Sequence, residues 1–339
     1  MSGITKAVLP NQLKLRWTFK TGDKIKSSPV VCNNTIYIAS GDGYVYSLSN
    51  AGKLNWKFKT DNSIEAPPLL FNNVVYIGSL NGTFYAIDAK TGKQKWAYTT
   101  DGQIIGSANA VKVSKSGKTI ILVGSYDYNL HAIDAATGKG VWKYESNNYI
   151  NGAAGSDGKI AIFGGCDANL HVVNVNDGKR VAAIEVGTYI AASIALSGDL
   201  AYTGDYDGKF ACINLKTKKF VWHYNKDAEV GQPFLSSPAI AANKIIVGSQ
   251  DKNVYCFEKS TGKVLWKSPT RGKVDSSPVV AGNKIVVGSM DGRIYLLDLN
   301  TGKELWSYET GSPISGTPAV VDNMVIVGSE NGTVYAFGK

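Results

Sequence analysis

The chain has 339 residues, 44% of them apolar and 19% charged; that balance supports a large core, and no apolar run is long enough to span a bilayer. Its net charge of +9 comes from 36 Lys+Arg against 27 Asp+Glu. Many of the lysines (Lys57, Lys59, Lys93, Lys139, Lys263, Lys303) fall in turns or at alternate strand positions, so they spread around a rim as solvated surface and build no nucleic-acid groove. The opening residues, MSGITKAVLPNQ, hold neither an h-region nor a small-residue cleavage site. They read as a cytoplasmic start or as the residues left once an export signal has been removed, which leaves the compartment open between cytoplasm and periplasm. Residues 1–12 read as an N-terminal extension and 13–339 as one domain.

In chain order, the first predicted strand is LKLRWTFK at 13–20. An inner strand, IKSSPVV, then opens near Ile25. It is followed by TIYIAS, a GDG turn at 41–43, YVYSLS and a second Trp strand through Trp56. This four-strand set recurs, with inner strands opening near Ile25, Ile64, Ile104, Ile150, Ile190, Phe234, Val274 and Ile314. The second and third strands are joined by turns carrying Asp or Asn, usually with Gly, a strong hairpin signal.

The third and fourth strands are joined by AIDAKTGKQKW at 86–96 and AIDAATGKGVW at 132–142, with looser copies elsewhere. Asp88 can accept from backbone N–H groups ahead of it, and Gly92 can take φ > 0. All seven tryptophans occupy the last slot of this unit: Trp17, Trp56, Trp96, Trp142, Trp222, Trp266 and Trp306. Their spacing is near 40, once doubled to 80 with Ala182 at its midpoint. Leu54, Trp56 and Phe58 are expected on one strand face and Asn55, Lys57 and Lys59 on the other.

Eight repeats of four short strands, with no amphipathic helix, predict an all-β chain folded as an eight-bladed β-propeller. The last repeat is one strand short and the N-terminus has one to spare. Pairing 13–20 with 333–338 closes the ring and removes two edges; an open solenoid is the alternative.

Cys32, Cys166, Cys212 and Cys256 show no CxxC spacing, so they read as buried thiols acting as small hydrophobes and not as a metal site. Asp42, Asp127, Asp167, Asp207, Asp251 and Asp291 recur at one turn position and are turn formers first. His131 and His171 share the slot of Tyr85 and Tyr255, so they are expected in the core as aromatic stand-ins. His223 faces away from the Trp side of its strand, toward solvent.

The repeat A-x-D-x-x-T-G-K-x-x-W resembles the tryptophan-docking motif of the PQQ-like β-propellers, a family that includes quinoprotein alcohol dehydrogenases and the lipoprotein BamB of outer-membrane β-barrel assembly. The resemblance covers residues 13–339. It implies that each Trp docks on the neighbouring blade. Quinoprotein dehydrogenases of that family hold their cofactor between a Trp and a disulfide of adjacent cysteines, with Ca²⁺ and an Asp base nearby. No two cysteines are adjacent here, and every Trp belongs to the repeat, so no cofactor and no catalytic residue is expected. There is no lipid-anchor cysteine near the start of this sequence.

What remains is a binding surface, and the upper-face loops show where. Tyr126, Tyr128, Tyr149, Tyr189 and Tyr206 gather in successive loops of the middle repeats. The residues opening the inner strands are Lys26, Glu65, Ile105, Asn151, Ala191, Leu235, Asp275 and Ser315. Of these, Lys26, Glu65, Asn151 and Asp275 are candidate polar contacts beside an aromatic platform. The expectation is a monomeric, non-catalytic scaffold that recognises a protein, peptide or glycan. The alternatives are a quinoprotein dehydrogenase and the sensing domain of a larger receptor or kinase.

Overall fold

The middle strands of each repeat are apolar at nearly every position, as in IYIA at 36–39 and VVYIG at 74–78, which suits a sheet covered on both faces. The computed structural model, which describes residues 3–225 and 231–339, places each sheet between two others. Eight antiparallel sheets surround an axis. Blade 1 runs from the inner strand Val30–Cys32 through Thr35–Ala39 and Tyr44–Ser49 to the outer strand Leu54–Lys59. Hydrophobic clusters are shared between neighbours: Tyr76, Phe84 and Ala86 of blade 2 meet Ile121, Val123 and Ile133 of blade 3. Blades approach closely where second strands end, and a Cβ added to Gly78 would lie 2.1 Å from Ile104 of the next blade. No helix among the described residues is long and apolar enough to cross a membrane.

Around the axis, hydroxyls tie inner strands together. The N–H groups of Ala153, Ser193 and Ser237 donate to Ser193, Ser237 and Ser277 Oγ at 3.0, 3.1 and 2.9 Å. Thr317 N–H donates to Ser28 Oγ at 2.8 Å, across the junction of the last blade with the first. The ring closes as the repeat count predicts: Lys14–Lys20 pairs antiparallel with Thr333–Gly338, Lys14 opposite Gly338 and Lys20 opposite Thr333.

The segment ahead of that strand is built into the propeller. Ile4–Thr5 pairs in parallel with the inner strand Val279–Ala281 of blade 7, and Leu9 and Leu13 pack in one cluster with Trp306 and Phe337. Blade 8 has chain termini where other blades have a turn, so Trp306 finds its cover in this segment.

The docking slot explains the repeat. Trp96 Nε1 donates to the Ala135 carbonyl at 3.2 Å, and Trp56 Nε1 to Ala89 at 3.0 Å, each in the lower turn of the next blade. The indole lies flat on that turn's glycine: a Cβ on Gly138 would be 2.7 Å from Trp96, and its φ is +74°. The Thr-Gly-Lys glycine is thus demanded by both backbone conformation and contact. Asp88 caps the turn as expected, accepting from Thr91 N–H at 2.8 Å, and the Thr91 contacts hold its carboxyl below the ordinary value.

At one junction both partners change. Ala182 stands in the Trp slot of blade 4, and Lys218 (φ +58°) stands in the glycine slot of blade 5. With no indole to receive, the turn tolerates a side chain. Ala182, Ile184 and Val172 fill the gap with Leu215.

Three expectations need correcting. A bulge falls just before each docking Trp, as in the shift between Gln94 and Trp96, so Leu54 turns outward and is 46% exposed instead of sharing the face of Trp56 and Phe58. Cys212 and Cys256 are buried, with burial pushing their thiols up to about 11 and about 12, but Cys32 is exposed at a turn and Cys166 is half-buried. In blade 5 the carboxylate that accepts from the turn is Asp205, bonded by Asp207 N–H at 3.0 Å and Lys209 N–H at 2.8 Å, so Asp207 does not play the part of its counterparts.

His131 and His171 are buried, as expected of aromatic stand-ins, and His223 is exposed. His131 Nε2 lies 3.0 Å from Asp127 Oδ2 and its Nδ1 3.1 Å from the Tyr98 hydroxyl; His171 repeats this with Asp167 at 2.8 Å and Tyr144 at 3.0 Å. Burial pushes both imidazoles below their ordinary value despite the carboxylates. The folded state therefore binds fewer protons than the unfolded one. Stability is full above about pH 6.5 and falls as pH drops below it. His131→Tyr with His171→Tyr, the residue blades 1, 2, 6, 7 and 8 use, is expected to flatten that acid limb in urea melts between pH 7 and about 4.5; an unchanged limb would mean other groups drive it.

Candidate functional site

The upper face is made of the loops entering the inner strands and the turns between second and third strands. One backbone hydrogen bond repeats around it and fixes the loop stacking. Tyr126 N–H donates to Gln103 O at 2.9 Å, Cys166 N–H to Tyr149 O at 3.0 Å and Tyr206 N–H to Tyr189 O at 3.1 Å. Gly41, Leu80, Gln250, Met290 and Glu330 make the same bond in the other blades. Tyr126, Tyr149, Tyr189 and Tyr206 thus occupy the two equivalent positions of this bond over blades 3 to 5, and Tyr128 lies two residues past Tyr126 in its turn.

The structure brings all five into that sector. Tyr126 and Tyr149 stack at 4.4 Å with 26° between their planes, and Tyr128 meets Tyr149 at 5.2 Å. Tyr189 and Tyr206 meet edge to face at 6.2 Å. Four rings are well exposed, from 39% for Tyr206 to 50% for Tyr189, while Tyr126 is half-buried. Burial pushes the Tyr126 hydroxyl up to about 12, and Cys166, Tyr206, Glu65 and Tyr149 add to it. Tyr128 takes φ +70°, where blades 1, 2, 5, 7 and 8 use Gly43, Gly82, Gly208, Gly292 and Gly332.

The axial residues divide into two sets. Ile105, Asn151, Ala191 and Leu235 line a cavity of about 510 Å³ that all eight inner strands and Gly3 enclose. Asn151 Nδ2 donates to Cys166 Sγ at 3.2 Å, and its Oδ1 is buried without a hydrogen-bond partner. Lys26 and Glu65 pair with each other at 2.8 Å, and Asp275 accepts from Gln250 Nε2 at 2.9 Å. These three polar groups are committed to neighbours, a pairing that sequence order alone cannot show. Ala182 lies beneath the tyrosine sector but in the lower half, where the Trp slot opens, so its loss of Trp does not shape the upper face. No cluster of three His, Cys, Asp or Glu suited to a metal occurs among the described residues.

Known proteins resemble the chain in fold. BamB from Moraxella catarrhalis matches with a TM-score of 0.79 at 20% identity, covering 97% of this chain and all of that one. The computationally designed Ika8 protein matches at 0.82 and 19% identity, over 94% and 98% of the two chains. The quinohemoprotein alcohol dehydrogenase of Comamonas testosteroni matches at 0.78 and 15% identity, over 96% of this chain and 76% of that one. No curated protein matches the sequence. The family model described as outer membrane protein assembly factor BamB matches residues 2–160, 166–273 and 250–339, and the chain belongs to that family.

Proposed function

We propose that the chain is a non-catalytic recognition propeller that holds a protein segment across the tyrosines of its upper face and so acts as a scaffold in a larger assembly. Tyr128 carries this reading. Non-glycine residues hold this left-handed turn position in three blades, at Tyr128, Ala168 (φ +62°) and Lys252 (φ +69°), at roughly 1–2 kcal/mol each, and of the three Tyr128 presents an aromatic ring, 40% exposed. Exposed tyrosines offer a broad apolar face with a hydroxyl at its edge, which suits an extended peptide or a sugar ring. Membership of a family described as an assembly factor fits a protein partner and an extracytoplasmic setting.

The quinoprotein reading rests on the shared fold, and the residues here do not fit its cofactor. Six indoles are bonded to lower-turn carbonyls of the next blade, the mouth is floored by Ile105, Ala191 and Leu235, and Cys166 is flanked in sequence by Gly165 and Asp167.

Tyr149→Ala with Tyr189→Ala is expected to weaken capture of array-selected peptides at least about tenfold, the scale of a lost aromatic hot spot, with the melting temperature nearly unchanged. Collapse of stability would make those rings packing residues. Selection of glycans alone would move the partner class. Alcohol oxidation with added PQQ, Ca²⁺ and an artificial acceptor would overturn the non-catalytic reading.

A further inference from the structure

The two faces of the propeller carry opposite charge. Among the described residues, the upper loops and turns, with the strand ends that flank them, hold nine basic and sixteen acidic side chains. The lower turns and their flanking strand ends hold eighteen basic and nine acidic ones. The chain's net charge is therefore concentrated on the lower face, although the lysines look evenly scattered in the sequence.

The excess peaks under blades 3 to 5. The connection between strands Asn109–Lys112 and Thr119–Gly124 is the longest inner hairpin turn among the described residues and exposes Lys112, Lys115 and Lys118. The lower turn of blade 5 exposes Lys216, Lys218 and Lys219. Lys115 N–H reaches Asn176 Oδ1 in the lower turn of blade 4 at 3.4 Å, so the long hairpin leans over the blade between them. Lys218 is itself a departure from the repeat, because it replaces the glycine opposite the one missing docking Trp. That junction gives up an indole contact and gains a third lysine, which is how a repeat looks where a second demand competes with packing.

We propose that the lower face docks on a lipid bilayer containing anionic lipid, holding the tyrosine face away from it. The lysines stand on turn tips across an arc of three blades, a diffuse distribution matched to a negative surface potential. They do not track a groove. The lower-turn indoles are closed against the turn glycines, and Phe220, 40% exposed beside Lys219, is a single ring where single strands of nucleic acid need successive ones. Lipid docking and partner capture use opposite faces, so either can fail alone.

The test is sedimentation of the full chain with vesicles of phosphatidylcholine, with and without about 30% phosphatidylglycerol, at low salt. Binding is expected to the anionic vesicles only, with release by about 0.5 M NaCl as screening shortens the reach of the charges. The variant K112Q/K115Q/K118Q/K216Q/K218Q/K219Q should bind at least about tenfold more weakly, and either triple variant about threefold. The upper-face control K20Q/K24Q/R271Q should bind as the parent does. If the sixfold variant melts early, the two triple variants are compared instead. No binding to anionic vesicles, lysine variants that bind like the parent, or tighter binding of duplex DNA through the same lysines would overturn the proposal.

Discussion

Removing residues 1–20 will abolish the single cooperative melting transition of the propeller. The deletion strips three things at once. Thr333–Gly338 loses its partner strand and becomes an open edge. Blade 1 loses the indole of Trp17, whose Nε1 donates to Asn50 O at 2.8 Å and whose ring covers Gly52. Trp306 and Phe337 lose the cover of Leu9 and Leu13. Each large apolar side chain returned to water costs roughly 1.5–3 kcal/mol, and a domain commonly has only about 5–15 kcal/mol in hand. Calorimetry should show aggregation or several broad transitions. One transition at the parent temperature would mean that the ring does not depend on its N-terminal strand.

The second large effect is Trp96→Ala, expected to cost about 3–5 kcal/mol in urea unfolding. The indole fills the space between blades 2 and 3, meeting Tyr76 at 5.6 Å and Phe84 at 6.2 Å, and its loss leaves Gly138 over a void. The natural exception tests the same mechanism in reverse. Ala182→Trp alone should destabilise, because Lys218 holds a Cβ where other junctions have none; at the equivalent turn of blade 6 an added Cβ would lie 2.4 Å from Trp222. Adding Lys218→Gly should recover at least about 1 kcal/mol beyond additivity, as expected of residues in contact. Strictly additive effects would contradict the pairing.

The closure and the docking slot are legible in the sequence because a period near 40 with one Trp per repeat constrains every blade at once. The pairing of Ala182 with Lys218 is also written in the chain. Reading it requires knowing that each Trp reaches the turn of the next repeat, one blade ahead in space. Ile4–Thr5 is hidden because two residues carry no pattern, and a parallel addition at the axis has no turn to announce it. The five tyrosines stand out from their loop positions, but the partners of Lys26, Glu65 and Asp275 depend on distances across blades. The positive φ of Tyr128 is visible only as a tyrosine where five other repeats have glycine. The charge asymmetry is masked because upper and lower turns alternate along the sequence, and only the strand order sorts them.

Site-specific photo-crosslinking reads recognition at the upper face in the intact protein. A photoreactive phenylalanine analogue at position 189 or 128 should form crosslinks to a protein partner in intact cells. The same group at position 141, exposed on an outer strand, should form none. Crosslinks from position 141 with silence at 128 and 189 would place the partner on the side of the propeller and rule out recognition at the upper face.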